Sequence, residues 1–346
     1  MKRFALAFAL PTLYLLSSHA LCAEPSPVGN VPAAATNRIV LLVDEYKAIR
    51  NFPIILAERL GYLNDGNQIV TVMNIRDDVF HAPMLMDGRI DAVMAYFHHN
   101  IVSQSEGRYS EAIVTLGVTP GAKVLVANQV KDKYKTLADL KGSRFIAGGA
   151  GSSKSTVANL LMLEGGNKLS DYTRLGTDGK DKNVEALRNG SADFVVAPTP
   201  DGSFYESQGV ATVFADLTTV AGTKKHFGTL FPTSTVFMKS ERVKSNPEIA
   251  QHLANAFVRT LKFINTHTPE EIAAVIPVEI SGKDRVAYMK VLREAIPMFA
   301  NDGTMPVDGA EKEWRVLSEF NPKYKTVKLE QTYTNKFVNE ALQKYR

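Results

Sequence analysis

The sequence predicts an α/β fold of two lobes, each a mainly parallel sheet flanked by helices, on three observations. First, a pattern occurs twice: LMDGRIDAVMA (85–95) matches LRNGSADFVVA (187–197), aligning Gly88 with Gly190 and Asp91 with Asp193. In each copy a helix ends at a glycine, which tolerates the left-handed backbone of a C-cap, and a strand follows. Second, each copy has a matching start upstream. Strand RIVLLV, a loop and helix FPIILAERLGYL precede the first; strand SRFIAG, a loop and helix STVANLLMLEGG precede the second. Third, apolar residues recur at helical spacing in the helices (Ile54, Ile55, Ala57, Leu60; Val157, Leu160, Leu161), whereas the strand runs are short and β-branched. Alternating strands and helices place helices on both faces of mainly parallel sheets.

At the N-terminus, Lys2 and Arg3 precede the apolar run FALAFALPTLYLL and the small-residue region SSHALCAEP, the pattern of a secretory signal peptide over 1–23. No later stretch approaches about 18 uninterrupted apolar residues, so a soluble chain outside the cytoplasm is expected. Cys22 is the one cysteine, which leaves the rest of the chain without a disulfide or a cysteine metal site. A lipid anchor on Cys22 is the lesser alternative, because Leu21 stands where a small residue is wanted. Removing Lys2 and Arg3 takes the formal charge from +4 to +2, too small a bias to indicate nucleic acid or a membrane surface. A Pro/Ala-rich linker follows over 24–36. The remaining length of about 310 residues suits two domains.

The first lobe is expected over 37–120 and the second over 121–224, with 225–346 returning to complete the first. In the return segment, strand TSTVFM and helix NPEIAQHLANAFVRTLKFINTH come first, and Pro247 suits an opening helical turn. Trp314, among later helical residues, reads as packing.

Ligands of such sheets bind outside the carboxyl ends of the strands. Four loops qualify: DEYKAIRN (44–51), AYFHHN (95–100), GGAGSSKS (148–155) and APTPDGSF (197–204). They supply the candidate ligand-binding residues Tyr46 and Lys47, then Tyr96, Phe97 and His98, then Gly151, Ser152, Ser153 and Lys154, and finally Thr199 and Asp201.

GGAGSSKS nearly matches a phosphate-binding G-x-x-x-x-G-K-[ST] loop, and RIVLLVDE (38–45) resembles its acidic partner strand. Ser153 stands where the second glycine must let the backbone wrap phosphates, and the acidic strand lies in the other lobe. A nucleotide site is therefore not expected. The same residues suit a smaller anion, with amides and hydroxyls of Ser152 and Ser153 at a helix N-terminus and Lys154 adding charge. The plain alternative is a helix N-capped by one of these serines. His98 and His99 are adjacent and point different ways, which argues against a metal site. Ser152 and Ser153 lack a base and an orienting acid, which argues against hydrolysis.

The order ADLKG (138–142), a strand, GAGSS, NGSADFVVA and, near the end, TYTNKFV (332–338) resembles the sulfonate, nitrate, taurine and thiamine-precursor binding proteins of ABC importers. These are type II periplasmic binding proteins. The resemblance runs from about residue 37 to the C-terminus and implies a ligand clamped between two hinged lobes, with 151–153 as an anion clamp. It also implies delivery to an ABC permease in the inner membrane by a monomeric, non-enzymatic protein that carries no cofactor and no metal. Sensing through a receptor and a secreted enzyme on the same fold are the alternatives; the pyrimidine-synthesising enzymes of this fold need a cysteine cluster, which the sequence lacks. Tyr96, Phe97, His98 and His99 replace the small turn that sulfonate binders often carry at this point. An aryl sulfonate, an aromatic carboxylate or a pyrimidine would then suit the site better than a two-carbon sulfonate.

Overall fold

The computed structural model describes residues 37–66, 68–75 and 81–346. The signal peptide expected over 1–23, the linker expected over 24–36 and Cys22 lie outside the described residues. The first stretch of chain forms β1 (Asn37–Asp44), α1 (Phe52–Arg59), β2 (Gln68–Ile75), α2 (His81–Met86), β3 (Ala92–Tyr96), α3 (His98–Ser105) and β4 (Ser110–Thr115). The second forms β5 (Ala122–Ala127), β6 (Arg144–Ile146), α4 (Ser153–Glu164), β7 (Thr173–Leu175), α5 (Lys180–Asn189), β8 (Phe194–Pro198), α6 (Asp201–Ser207), β9 (Ala211–Leu217) and α7 (Val220–Phe227). The chain continues through β10 (Ser234–Lys239), α8 (Ser240–Ser245), α9 (Pro247–Thr266), α10 (Pro269–Ala274), α11 (Val278–Ser281), α12 (Arg285–Ala295), α13 (Val307–Phe320) and α14 (Lys336–Lys344).

The strands make two five-stranded sheets, ordered β2-β1-β3-β10-β4 and β7-β6-β8-β5-β9. In the first, β1 is parallel to β2 and β3, and β10 runs antiparallel to β3 and β4. In the second, β6 is parallel to β7 and β8, and β5 runs antiparallel to β8 and β9. The reversed strand of each sheet is the first one the chain makes after crossing from the other. The mainly parallel, two-sheet α/β architecture expected from the sequence is therefore observed.

Burial follows from this layering. The first four residues of both β3 and β8 are buried, as strands covered on two faces require. One face of the first sheet (Ile39, Leu41, Val43) packs on α1 and on Leu253, Phe257 and Leu261 of α9, whose spacing makes one apolar stripe. Its other face (Leu42, Val93) packs on Leu85, Ile101, Ala310 and Leu317. Trp314 joins that layer and donates its indole N–H to Tyr324 O at 2.9 Å.

The repeated Gly and Asp do the same work in both sheets. Gly88 and Gly190 have φ of 74° and 80°, the left-handed turn that ends each helix. Asp91 accepts the Val40 N–H at 2.8 Å and Asp193 the Arg144 N–H at 2.8 Å, so each carboxylate staples its strand to the neighbouring one. Each is also paired with an arginine, Arg242 at 3.1 Å and Arg144 at 2.7 Å.

The two crossovers lie side by side. Thr233 N–H donates to Gly117 O and Phe231 N–H to Val118 O, both at 2.9 Å. A Cβ on Gly117 would stand 2.2 Å from Thr233 Oγ1, so only glycine allows this approach. Position 224/225 falls inside α7, which packs through Phe227 into the core of the second sheet. Helix α13 serves both sheets: Ala310 and Leu317 join the first core, Val316 joins the second, and Lys312 pairs with Glu164 of α4 at 2.5 Å.

Candidate functional site

The carboxyl ends of β1, β3, β6 and β8 open onto one cleft of about 870 Å³ between the sheets. Its walls include Lys47 and Arg50 after β1, Tyr96 at the end of β3, Ser153 and Lys154 of α4, and Thr199 and Asp201 after β8. Tyr96 and Ser153 also line two adjoining spaces. An inner chamber of about 20 Å³ is lined also by His98, Phe231, Thr233 and Glu313, and a side pocket is lined by Asp44, His99, Gly151 and Ser152. The four loops singled out in the sequence therefore meet around one space.

The glycine loop owes its shape to Gly148 and Gly151, at φ of 72° and 77°. Ser152 is the N-cap of α4: its hydroxyl accepts the Ser155 N–H at 3.2 Å and donates to Ala147 O at 3.2 Å. Its side chain is thus engaged in capping, as the plain reading of this loop expects. Ser153 and Lys154 come next, and their amides precede the first intrahelical bonds, the position from which a helix receives an anion.

On the facing wall, the loop after β1 turns at Glu45, whose φ is 51°. The buried Asn51 amide holds this turn by donating to the carbonyls of Asp44 and Glu45. Arg50 pairs with Asp44 at 3.2 Å and Glu45 at 2.9 Å, and its guanidinium lies 5.2 Å from the Tyr96 ring centre. Its charge is therefore satisfied within the loop, and its contact with Tyr96 fixes the ring. Tyr96 in turn stacks on His98, with centroids 5.8 Å apart and planes at 25°.

Two expected contacts are corrected. Phe97 is fully buried in the first sheet's core against Tyr333, because it follows Tyr96 at the end of β3 and points to the opposite face. Tyr46 turns away from the cleft, packs on the first core and donates its hydroxyl to Glu58. Burial, then Glu58, raise its phenol pKa beyond the ordinary range. Asp201 is in the cleft wall but is paired with Lys180 at 2.6 Å.

A pattern covering residues 50–272, NMT1/THI5 like, matches this chain. The chain belongs to the NMT1/THI5-like family. Among solved structures, a protein of Bordetella bronchiseptica RB50 is 28% identical, with a TM-score of 0.72 over 89% of this chain and 98% of that one. The periplasmic aliphatic sulphonate binding protein SsuA of Escherichia coli is 16% identical, with a TM-score of 0.65 over 83% of this chain and 92% of that one. The desulfurization enzyme DSZB is 15% identical, with a TM-score of 0.59 over 89% of this chain and all of that one. No curated sequence matches the chain significantly.

This NMT1/THI5-like chain also carries cleft residues that its sequence did not reveal. Glu313, from α13, is 2% exposed, and burial pushes its carboxyl well above the usual carboxylate range. Its Oε1 lies 3.8 Å from His98 Nδ1, too far for a hydrogen bond. Burial and then His81 hold the His98 imidazole down at about 4, while burial favours the protonated form of the carboxyl beside it. His99 is driven below the usual imidazole range by burial first and then by His98, His81 and Arg50. Tyr288, which also lines the cleft, has a buried hydroxyl without a partner among the described residues, and desolvation pushes it up to about 12. Thr199 Oγ1, 8% exposed by residue, is likewise unpartnered.

Proposed function

We propose that this protein captures a small anionic organic solute, of sulfonate or aromatic acid type, between its two lobes outside the cytoplasm and delivers it to an ABC permease. The observation that carries the reading is the position of the α4 N-terminus. Ser153 and Lys154 line both the cleft and the inner chamber, where the helix dipole and free amides of α4 favour an anion and Lys154 adds positive charge. Tyr96 and the prolines 120 and 198 give this site flat apolar walls, which suit a ring on the anion. Two buried hydroxyls without a partner among the described residues, on the cleft-lining residues Thr199 and Tyr288, are the kind of polar group that a ligand satisfies. The sulphonate-binding neighbour and the family support the same reading. On it, the lobes are 37–120 with most of 225–346, and 121–224, hinged at the paired crossovers; the protein acts as a periplasmic monomer.

The test is a thermal-shift and calorimetric screen with aryl and alkyl sulfonates, aromatic carboxylates, nitrate and pyrimidines. A ligand at about 100 times its Kd adds roughly 2.7 kcal/mol of stability. Ser153→Asp, which places a carboxylate beside the anion yet keeps a residue that helix starts tolerate, is expected to weaken binding by on the order of 100-fold while the protein stays folded. Unchanged affinity would remove α4 from the site. The fold of DSZB supports a second reading, an enzyme acting on a related anion. Recovery of the bound ligand unaltered after long incubation with the protein separates capture from turnover.

A further inference from the structure

Resting on that reading, we propose that the Glu313 carboxyl group closes the inner chamber as a hydrogen-bond donor to the bound anion. Glu313 Oε2 is buried and has no hydrogen-bond partner among the described residues, and the Glu313 residue lines a space that Ser153 and Lys154 also line. A buried polar atom left unmatched is destabilising unless something fills the place. The chamber, at about 20 Å³, takes one water-sized group, such as a single oxygen of a sulfonate or carboxylate. That oxygen would accept from the α4 end on one side and from Glu313 on the other.

An ionised carboxylate could not serve, because two anions in contact in one chamber repel. The surroundings of Glu313 favour its acid form. From α3 it faces His98, which is neutral, with His99 behind it. From α4 the chamber receives Lys154, whose charge the anion takes up on binding. On its own helix Lys312 is paired with Glu164. The turns 322–326 and 329–331, which also pack on α13, put no charged side chain into the chamber. Desolvation is the cause that acts on the carboxyl, and it favours the protonated form.

The role makes affinity depend on pH with a definite sign. Benzenesulfonate keeps its charge across the neutral range, so a fall in affinity with rising pH reports loss of the proton from Glu313. The experiment is calorimetry of purified protein with benzenesulfonate from pH 6 to 9, on wild type, Glu313→Gln and Glu313→Leu, each checked for folding by thermal unfolding. Glutamine keeps a donor and cannot ionise. It is expected to bind within about threefold of wild type at pH 6 and to show no decline toward pH 9. Leucine removes the donor and is expected to bind about tenfold more weakly at pH 6. Wild-type-like binding by Glu313→Leu, or equal losses in Gln and Leu variants, would overturn the assignment. Wild-type protein that does not bind benzenesulfonate at millimolar concentration overturns the aryl-anion reading first, and the role of Glu313 with it.

Discussion

Tyr96 and Phe97 are neighbours in sequence and opposites in role. Tyr96 lines the cleft and is held by Arg50 and His98, whereas Phe97 is core. Tyr96→Ala is expected to weaken an aryl sulfonate about tenfold with little loss of stability, read by calorimetry. Phe97→Ala is expected to leave affinity alone and to destabilise the fold by about 3–5 kcal/mol, read by urea unfolding. The loop was legible in the sequence, because a strand end beside a repeat marks it. Which aromatic lines the cleft was not, since that depends on where the pleat stops. Glu313 was invisible for a different reason: in the run Glu311, Lys312, Glu313 it reads as a solvated helix face, and only packing of α3 and α4 on α13 buries it. Its titration gives a stability test independent of ligand. A carboxyl whose folded pKa is raised loses stability as pH rises above its unfolded value, because only the unfolded chain releases the proton. Glu313→Gln is therefore expected to raise the melting temperature, and to raise it more at pH 8 than at pH 5. An equal shift at both would show that Glu313 is not held protonated by the fold.

At the level of elements, the internal repeat was the most informative signal, and the structure gives its physical content. Asp91 and Asp193 each follow a helix ending at a positive-φ glycine, and each accepts a backbone N–H from the strand beside it. A sheet whose neighbouring strands are joined through helices needs such a staple where the helix hands over to the strand. Asp193 is 4% exposed and takes hydrogen bonds from the Arg144 amide and guanidinium. Asp193→Ala is expected to cost about 2–3 kcal/mol in urea unfolding, and Asp193→Asn, which keeps an acceptor, about half of that. Equal losses would mean that charge rather than the backbone staple matters. The return of the late strand was legible as a short β-branched run without a sheet of its own, and β10 lies between β3 and β4. The double allegiance of α13 was not legible, because its apolar positions show only that two sides are covered, not by what. That helix brings Glu313 to the cleft, so the part of the site that the sequence hid is the part supplied by long-range packing.

Across the whole molecule, two ion pairs join elements that pack on different sheets: Lys312 with Glu164 at 2.5 Å, and Lys123 of β5 with Glu294 of α12 at 3.3 Å. Ser203 of α6 adds a hydrogen bond to Glu294 at 3.3 Å. All four charged side chains are partly exposed, between 16% and 29%, so each pair is worth on the order of 0–1 kcal/mol. Together they cannot hold two lobes closed against the freedom gained on opening. A ligand touching both lobes can, since it shifts the equilibrium by its differential affinity for the closed state. The crossovers that connect the lobes are two hydrogen-bonded connecting segments, with Gly117 against Thr233, about which closure can turn. Small-angle scattering is therefore expected to give a smaller radius of gyration with saturating aryl sulfonate than without it. Lys312→Ala, which removes one cross-sheet pair and leaves the cleft lining intact, should shift the ligand-free protein further toward the open form and weaken binding two- to fivefold, in proportion to the lost pair. An unchanged scattering profile at saturation, with binding confirmed by calorimetry on the same sample, would show that the cleft is preformed and that the lobes do not act as a clamp.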